Sequence, residues 1–218
     1  MAIYLKKFET QAAYDAAQSG LILPNVSLTV DNNTVHYNPN SPTPPTPSYE
    51  SVDLGLPSGT LWARYNVGAT SETEYGDYYQ YGKGADDYSV TSGQSDYSGT
   101  ENPLATSADT AAQVWGGSWH MPTYNQFEEL IVNTTYDWTA INGIYGGKFT
   151  AQNGNYIFIP AAGYYENGQL YAESEGGDLW SSIPYDFGES YALDFYVDSA
   201  NMYGRNYNRG YSIRPVIG

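Results

Sequence analysis

The sequence predicts an α+β domain, poor in helix and rich in hairpins and loops, with a small helix-and-hairpin module in front of it. Three observations carry this. Asn-Gly dipeptides sit between short alternating runs, a strong local hairpin signal. One amphipathic stretch has a complete helix start. A proline-rich segment separates the two parts.

The front module is residues 1–39. Residues 8–19 (FETQAAYDAAQS) are rich in Ala and Gln, with Thr10 placed to cap a helix and Gly20 to end it. Two alternating runs follow, Val26 to Val30 and Thr34 to Tyr37, around Asp31-Asn32-Asn33, which reads as a hairpin. A helix and a hairpin are too little for an independent core, so the module is either an attachment or oligomerisation element or a loose tail. Residues 40–48 are the linker. Asn38 to Ser48 holds five prolines in eleven residues, a semi-rigid polyproline II spacer or, alternatively, a proline-recognition ligand.

Residues 49–218 form the main domain. Tyr145 to Thr150 is expected to pair with Tyr156 to Pro160 around Gln152-Asn153-Gly154. Gly163 to Tyr165 is expected to pair with Gln169 to Ala172 around Glu166-Asn167-Gly168. The helix is Thr123 to Ile131. Thr123 caps it, Gln126 completes a capping box, and Phe127, Leu130 and Ile131 form an apolar stripe. Residues 72–113 read as an irregular, acidic, Tyr/Ser-rich excursion, and the rest as short strands and long loops.

Composition narrows the function classes. The chain has 218 residues, 8 basic against 24 acidic, a formal charge of −16. The main domain holds 6 basic and 21 acidic residues, so −15 of that charge is there. Nucleic acid is not an expected partner, because phosphate neutralisation needs clustered Lys and Arg. Membrane insertion is not expected either, since no apolar run approaches the ~20 residues of a span. Aromatic content of 16% argues against disorder. The N-terminus (MAIYLKKFETQ) lacks the apolar segment of a secretory signal. The chain has no Cys and 2 His (His36 and His120), which removes thiolate chemistry and makes a multi-histidine metal site unexpected.

Four motifs carry a family resemblance. They are residues 52–82 (VDLGLPSGTLWARYNVGATSETEYGDYYQYG), 115–130 (WGGSWHMPTYNQFEEL), 153–168 (NGNYIFIPAAGYYENG), and LWSS at 179–182 closing with GYSIRPV at 210–216. They resemble the Fibrobacter succinogenes major paralogous domain, which is itself similar to the formylglycine-generating sulfatase-modifying family and to C-type-lectin folds. The resemblance covers roughly residues 50–218 in the right order. It implies a C-type-lectin-like fold with a small twisted antiparallel sheet and long surface loops. Residues 211–216 (YSIRPV) resemble the closing strand of that family. The front module resembles the start of virion or tail-associated proteins of Bacteroides phages, crAss-like phages included. It implies attachment to other virion proteins through residues 1–39, a homo-oligomer with a trimer favoured, and a location on the virion surface.

A third resemblance concerns the C-terminal stretch. Lectin-like domains of this type serve as variable proteins of diversity-generating retroelements, whose adenine mutagenesis scatters Asn codons into Asn, Tyr, Ser, Asp and Gly. The matching positions are Tyr185, Asp186, Ser190, Tyr191, Asp194, Tyr196, Asp198, Ser199, Asn201, Tyr203, Asn206, Tyr207 and Asn208. Ordinary loop composition explains them equally well.

The chemistry points to binding. The formylglycine-generating relatives rely on cysteine, which is absent here. Paired carboxylates such as Glu128-Glu129, Asp86-Asp87 and Glu173/Glu175 are expected by chance in so acidic a chain, and His120 sits in a Trp/Met/Pro motif that reads as core or capping. No enzymatic activity is expected; the alternatives to a binding protein are a structural capsid decoration protein without receptor binding and, third, an enzyme acting on surface polysaccharide. Calcium-dependent lectins use Glu-Pro-Asn or Gln-Pro-Asp with Trp-Asn-Asp; Glu101-Asn102-Pro103 is a scrambled near-miss. No cofactor is expected, though a structural calcium on acidic loop oxygens stays open. Tyr with Ser, Gly and Asn is paratope composition, and Arg and Tyr are hot-spot types. The predicted ligand-binding set is therefore the thirteen residues above plus Arg205 and Arg209, in a Tyr-rich C-terminal loop that takes a host-surface glycan or protein. Trp62, Trp115, Trp119, Trp138 and Trp180 are assigned to the core, and Arg214 to structure.

Overall fold

The computed structural model describes residues 49–84 and 97–218, with two strands before them. The predicted helix at 8–19, the linker at 40–48, the turn at Asn32-Asn33 and residues 85–96 of the acidic excursion lie outside the described residues. The chain divides into two units, Met1–Ser48 and Tyr49–Gly218. In the first, β1 (Ser27–Asp31) pairs antiparallel with β2 (Thr34–Asn38), Thr29 opposite His36. This is the predicted hairpin.

The second unit opens with β3 (Ser51–Asp53) and β4 (Leu61–Ala63) and ends with β13 (Val216–Ile217). These three form one sheet in the order β13-β4-β3, with Val216 opposite Trp62. The last strand thus pairs back onto the beginning of the unit. Between them, at the end of the acidic excursion, lies a short helix that the sequence reading missed, α1 (Thr110–Val114). Asp109 caps it by accepting from Ala112 N at 2.9 Å, and its other oxygen accepts from Met121 N.

The predicted amphipathic helix is α2 (Tyr124–Asn133). Thr123 Oγ1 accepts from Gln126 N, and Gln126 Oε1 accepts from Thr123 N at 2.8 Å, so the capping box is complete. Phe127 and Leu130 are fully buried. The helix ends where Thr134 turns extended, its hydroxyl donating to Leu130 O at 2.7 Å. The carboxylate of Glu129 accepts from Ser58 N and Oγ and ties the 57–60 turn to the helix.

Antiparallel hairpins make up the rest. A meander joins β5 (Thr134–Ile141), β6 (Ile144–Ala151) and β7 (Tyr156–Pro160). Its β6–β7 turn is the predicted one at Asn153-Gly154. A hairpin pairs β8 (Tyr164–Glu166) with β9 (Gln169–Tyr171) around Asn167-Gly168, also as predicted. In that turn both residues take left-handed φ, 52° and 76°, which is why Asn-Gly suits it. A second meander joins β10 (Gly176–Asp186), β11 (Glu189–Tyr196) and β12 (Ser199–Asn206). The architecture is α+β: small antiparallel sheets with two short helices among the described residues. No helix there is long and apolar enough to cross a membrane.

Two apolar clusters fill the unit. One gathers Val52, Trp62, Phe127, Leu130, Phe149, Ile157, Leu193 and Phe195. The other gathers Tyr79, Tyr81, Trp115, Trp119, Met121, Trp180, Tyr211 and Ile213. Four of the five Trp are buried, and Trp138 packs partly exposed against the first cluster. Arg214 is fully buried and donates to Asn66 Oδ1 (2.8 Å), Ala63 O (3.1 Å), Arg64 O (2.7 Å) and Phe158 O (2.9 Å). It is the polar pin between the first strand region, the β5–β7 meander and the C-terminal segment.

Candidate functional site

The segment read as a C-terminal loop is instead the β10–β12 sheet, and this is the main correction to the sequence reading. Side chains of β11 alternate between two faces, and both faces are covered, Ala192 to Phe195 being buried without a break. Tyr191, Leu193 and Phe195 lie opposite Gly204, Met202 and Ala200 on one face, toward the first cluster. Ser190, Ala192 and Asp194 occupy the other, with Ala192 in the second cluster. A strand buried on both sides has few positions left for a ligand.

The fifteen predicted site residues therefore separate. Ser190, Asp194 and Tyr207 are interior. Ser190 is fully buried, and its hydroxyl donates to Ile183 O at 2.8 Å across the irregularity in β10. Asp194 lies beside Asp178 of β10, and Arg205 of β12 reaches both carboxylates. Burial, with the Asp194 charge next to it, pushes the Asp178 carboxyl up to about 7. Arg209 holds Glu166 at 3.2 Å and lies over the Tyr164 ring. Both arginines are thus committed to carboxylates. Tyr196 is half-buried, its carbonyl accepting from the Tyr136 hydroxyl. Asp198, Ser199 and Asn201 are exposed at or near the β11–β12 turn, and Tyr203 is exposed in mid-strand opposite Ala192. Tyr185 and Asp186 are exposed at the β10–β11 turn. Eight extended residues put these two turns roughly 25 Å apart. The exposed members cannot form one site.

One end does form a groove. A groove of about 770 Å³ runs between residues 97–102, the β10–β11 turn and residues 206–208. Four predicted residues line it beside the buried Tyr207: Tyr185, Asp186, Asn206 and Asn208. The sequence reading missed Phe187, Tyr97 and Asn102. Phe187 is 101% exposed at the tip of the turn, where Gly188 has φ 76°. A large apolar side chain at the tip of a two-residue turn is the signal that could have found it.

The rings of the groove are braced. Tyr185 packs edge-on against Tyr191 at 4.8 Å, and Tyr191 against Tyr124 of α2 at 4.5 Å. Gly204 lies under Tyr185: a Cβ there would come within 2.3 Å of the ring. On the other wall Tyr97 packs edge-on against Tyr81 and Tyr207, which stack on each other at 4.6 Å. Gly82 lies under Tyr97 in the same way. Burial, aided by Glu101, raises the Tyr97 hydroxyl to about 12, so it stays a neutral donor at pH 7. Rings held in place lose little entropy on binding.

Among the described residues no three of His, Cys, Asp and Glu are grouped to hold a metal ion. Asp86, Asp87 and Asp96 lie outside those residues. His120 sits with Nδ1 2.9 Å from Met121 O and Nε2 3.0 Å from Gly218 O, at the chain end. The chain matches no protein-family model, no curated protein and no solved structure.

Proposed function

We propose that residues 49–218 are a C-type-lectin-like recognition domain of a phage virion-surface protein, and that the 97–102/184–188/206–208 groove binds a host-surface glycan or protein. The observation that carries this is Phe187 and Tyr185, 101% and 53% exposed, beside a concave groove. Water-exposed rings at a cleft mark a contact surface. The lectin-like reading draws support from the order of the four motifs and from the pairing of β13 back onto β4, although of the expected closing strand at 211–216 only Val216 lies in β13, Tyr211 and Ser212 forming isolated bridges. The front unit is the proposed attachment and oligomerisation element on the virion, a trimer favoured. Several copies would raise the avidity of a weak site. If the C-terminal stretch is diversified, Tyr185, Asp186, Asn206 and Asn208 are the positions where change alters the ligand while the fold is spared.

The test is adsorption of the full-length protein to host cells. A Tyr185→Ala/Phe187→Ala variant should bind at least tenfold more weakly at unchanged thermal stability. Equal binding by both proteins sinks the site assignment.

A further inference from the structure

The groove has polar side chains but no cation. Asn102, Asn206 and Asn208 line it with Ser98, Thr100 and a single acidic side chain, Asp186; no Lys, Arg or His does, among the described residues. Nor are the nearby arginines available: Arg205 is held by Asp178 and Asp194, Arg209 by Glu166, and Arg214 is buried. Glu101 and Glu189 flank the groove residues in sequence, in a domain of formal charge −15. An anionic ligand would enter a negative field and meet no charge partner there.

Resting on the reading of this groove as the recognition surface, we infer that its ligand is an uncharged oligosaccharide, and that glycans bearing sialic or uronic carboxylates or sulfate are rejected. The apolar face of a neutral sugar ring stacks on Tyr185 or Phe187. The Asn102 amide, both donor and acceptor, matches a pair of ring hydroxyls, and the Asn206 amide offers its N–H donors while its Oδ1 also accepts from Asn208 N at 3.0 Å. The volume of about 770 Å³ falls in the upper part of the range for small-ligand clefts. The concave shape favours a sugar chain over the flatter, larger surface of a protein partner.

The experiment uses the full-length chain against immobilised matched pairs: a galactose-terminated oligosaccharide with its sialylated counterpart, and a neutral glucan with a polyglucuronate. Neutral members should bind, and acidic members should bind at least tenfold more weakly at low salt. Raising salt shortens the reach of the field to a few ångströms and should narrow the gap, as should Asp186→Asn, which keeps the acceptor for Phe187 N. Gly204→Val, which pushes on the Tyr185 ring without lining the groove, should weaken neutral binding tenfold or more. Acidic members binding as well as neutral ones overturns the charge inference and leaves the groove as recognition surface. Host-cell binding that Tyr185→Ala abolishes, with no glycan bound, makes the ligand a protein and overturns the sugar inference alone. Host-cell binding that Tyr185→Ala and Phe187→Ala leave unchanged overturns the groove reading itself.

Discussion

Replacing Arg214 tests what holds this fold together. Its guanidinium is fully buried and donates four hydrogen bonds to Asn66, Ala63, Arg64 and Phe158, all of them to uncharged acceptors. Burial pulls the guanidinium pKa down, yet it stays charged at pH 7. Arg214→Met keeps most of the volume and strands the four acceptors. At about 1–3 kcal/mol per unsatisfied buried group, the loss is roughly 4 kcal/mol or more. Relief of guanidinium burial offsets part of it, leaving a destabilisation of about 3 kcal/mol. Arg214→Lys is the sharper variant. It keeps the cost of a buried charge but has no planar fork to span acceptors on three segments, so it should be at least as destabilised as Met. In a unit of this size each kcal/mol moves Tm by about 2–4 °C, so thermal unfolding followed by circular dichroism should show drops of roughly 6–12 °C. A lysine variant within about 0.5 kcal/mol of the parent, or a methionine variant as stable as the parent, would refute the reasoning.

Two further outcomes follow from the interior. The Asp178 carboxyl, facing Asp194 and Arg205 with Arg209 and Tyr211 near, is raised to about 7 against an ordinary value of 3.8. Between those values the folded state holds more protons than the unfolded one. Stability should therefore fall as pH rises from about 4 to about 7, by a few kcal/mol at most, and Asp178→Asn should flatten the slope in denaturant titrations. Thr123→Ala removes the hydroxyl that accepts from Gln126 N and should cost about 1 kcal/mol; no loss would show that packing alone sets the start of α2.

The sequence showed its structure best where the signal was local. Asn153-Gly154 and Asn167-Gly168 mark their hairpins because the turn conformation is decided within a few residues. Thr123 and Gln126 mark the helix start for the same reason, since cap and partner are three residues apart. The short helix at Thr110–Val114 escaped because five residues make less than two turns, too few for an apolar stripe to repeat, and its one marker, Asp109, is one of many acids.

The residues of the proposed groove were legible in type and not in place. Tyr, Asn and Asp in residues 185–209 look alike in sequence, and alternation alone cannot say what covers a face. Only packing shows that Trp180 and Tyr211 lie on one side of β11 and Phe149 and Phe195 on the other, which takes Ser190 and Asp194 inside. Packing also commits Arg205 and Arg209 to carboxylates, and it brings Tyr97 and Asn102 against Tyr185 and Asn206 across some 80 to 110 residues of chain. The sequence by itself determined the hairpin turns, the capped helix, the tryptophans available for a core and the acidic character of the main domain, because each depends on neighbours or on simple totals. Which tyrosines are exposed, which charges remain unpaired and where a groove opens were decided by tertiary structure alone, because burial belongs to pairs of surfaces rather than to a segment.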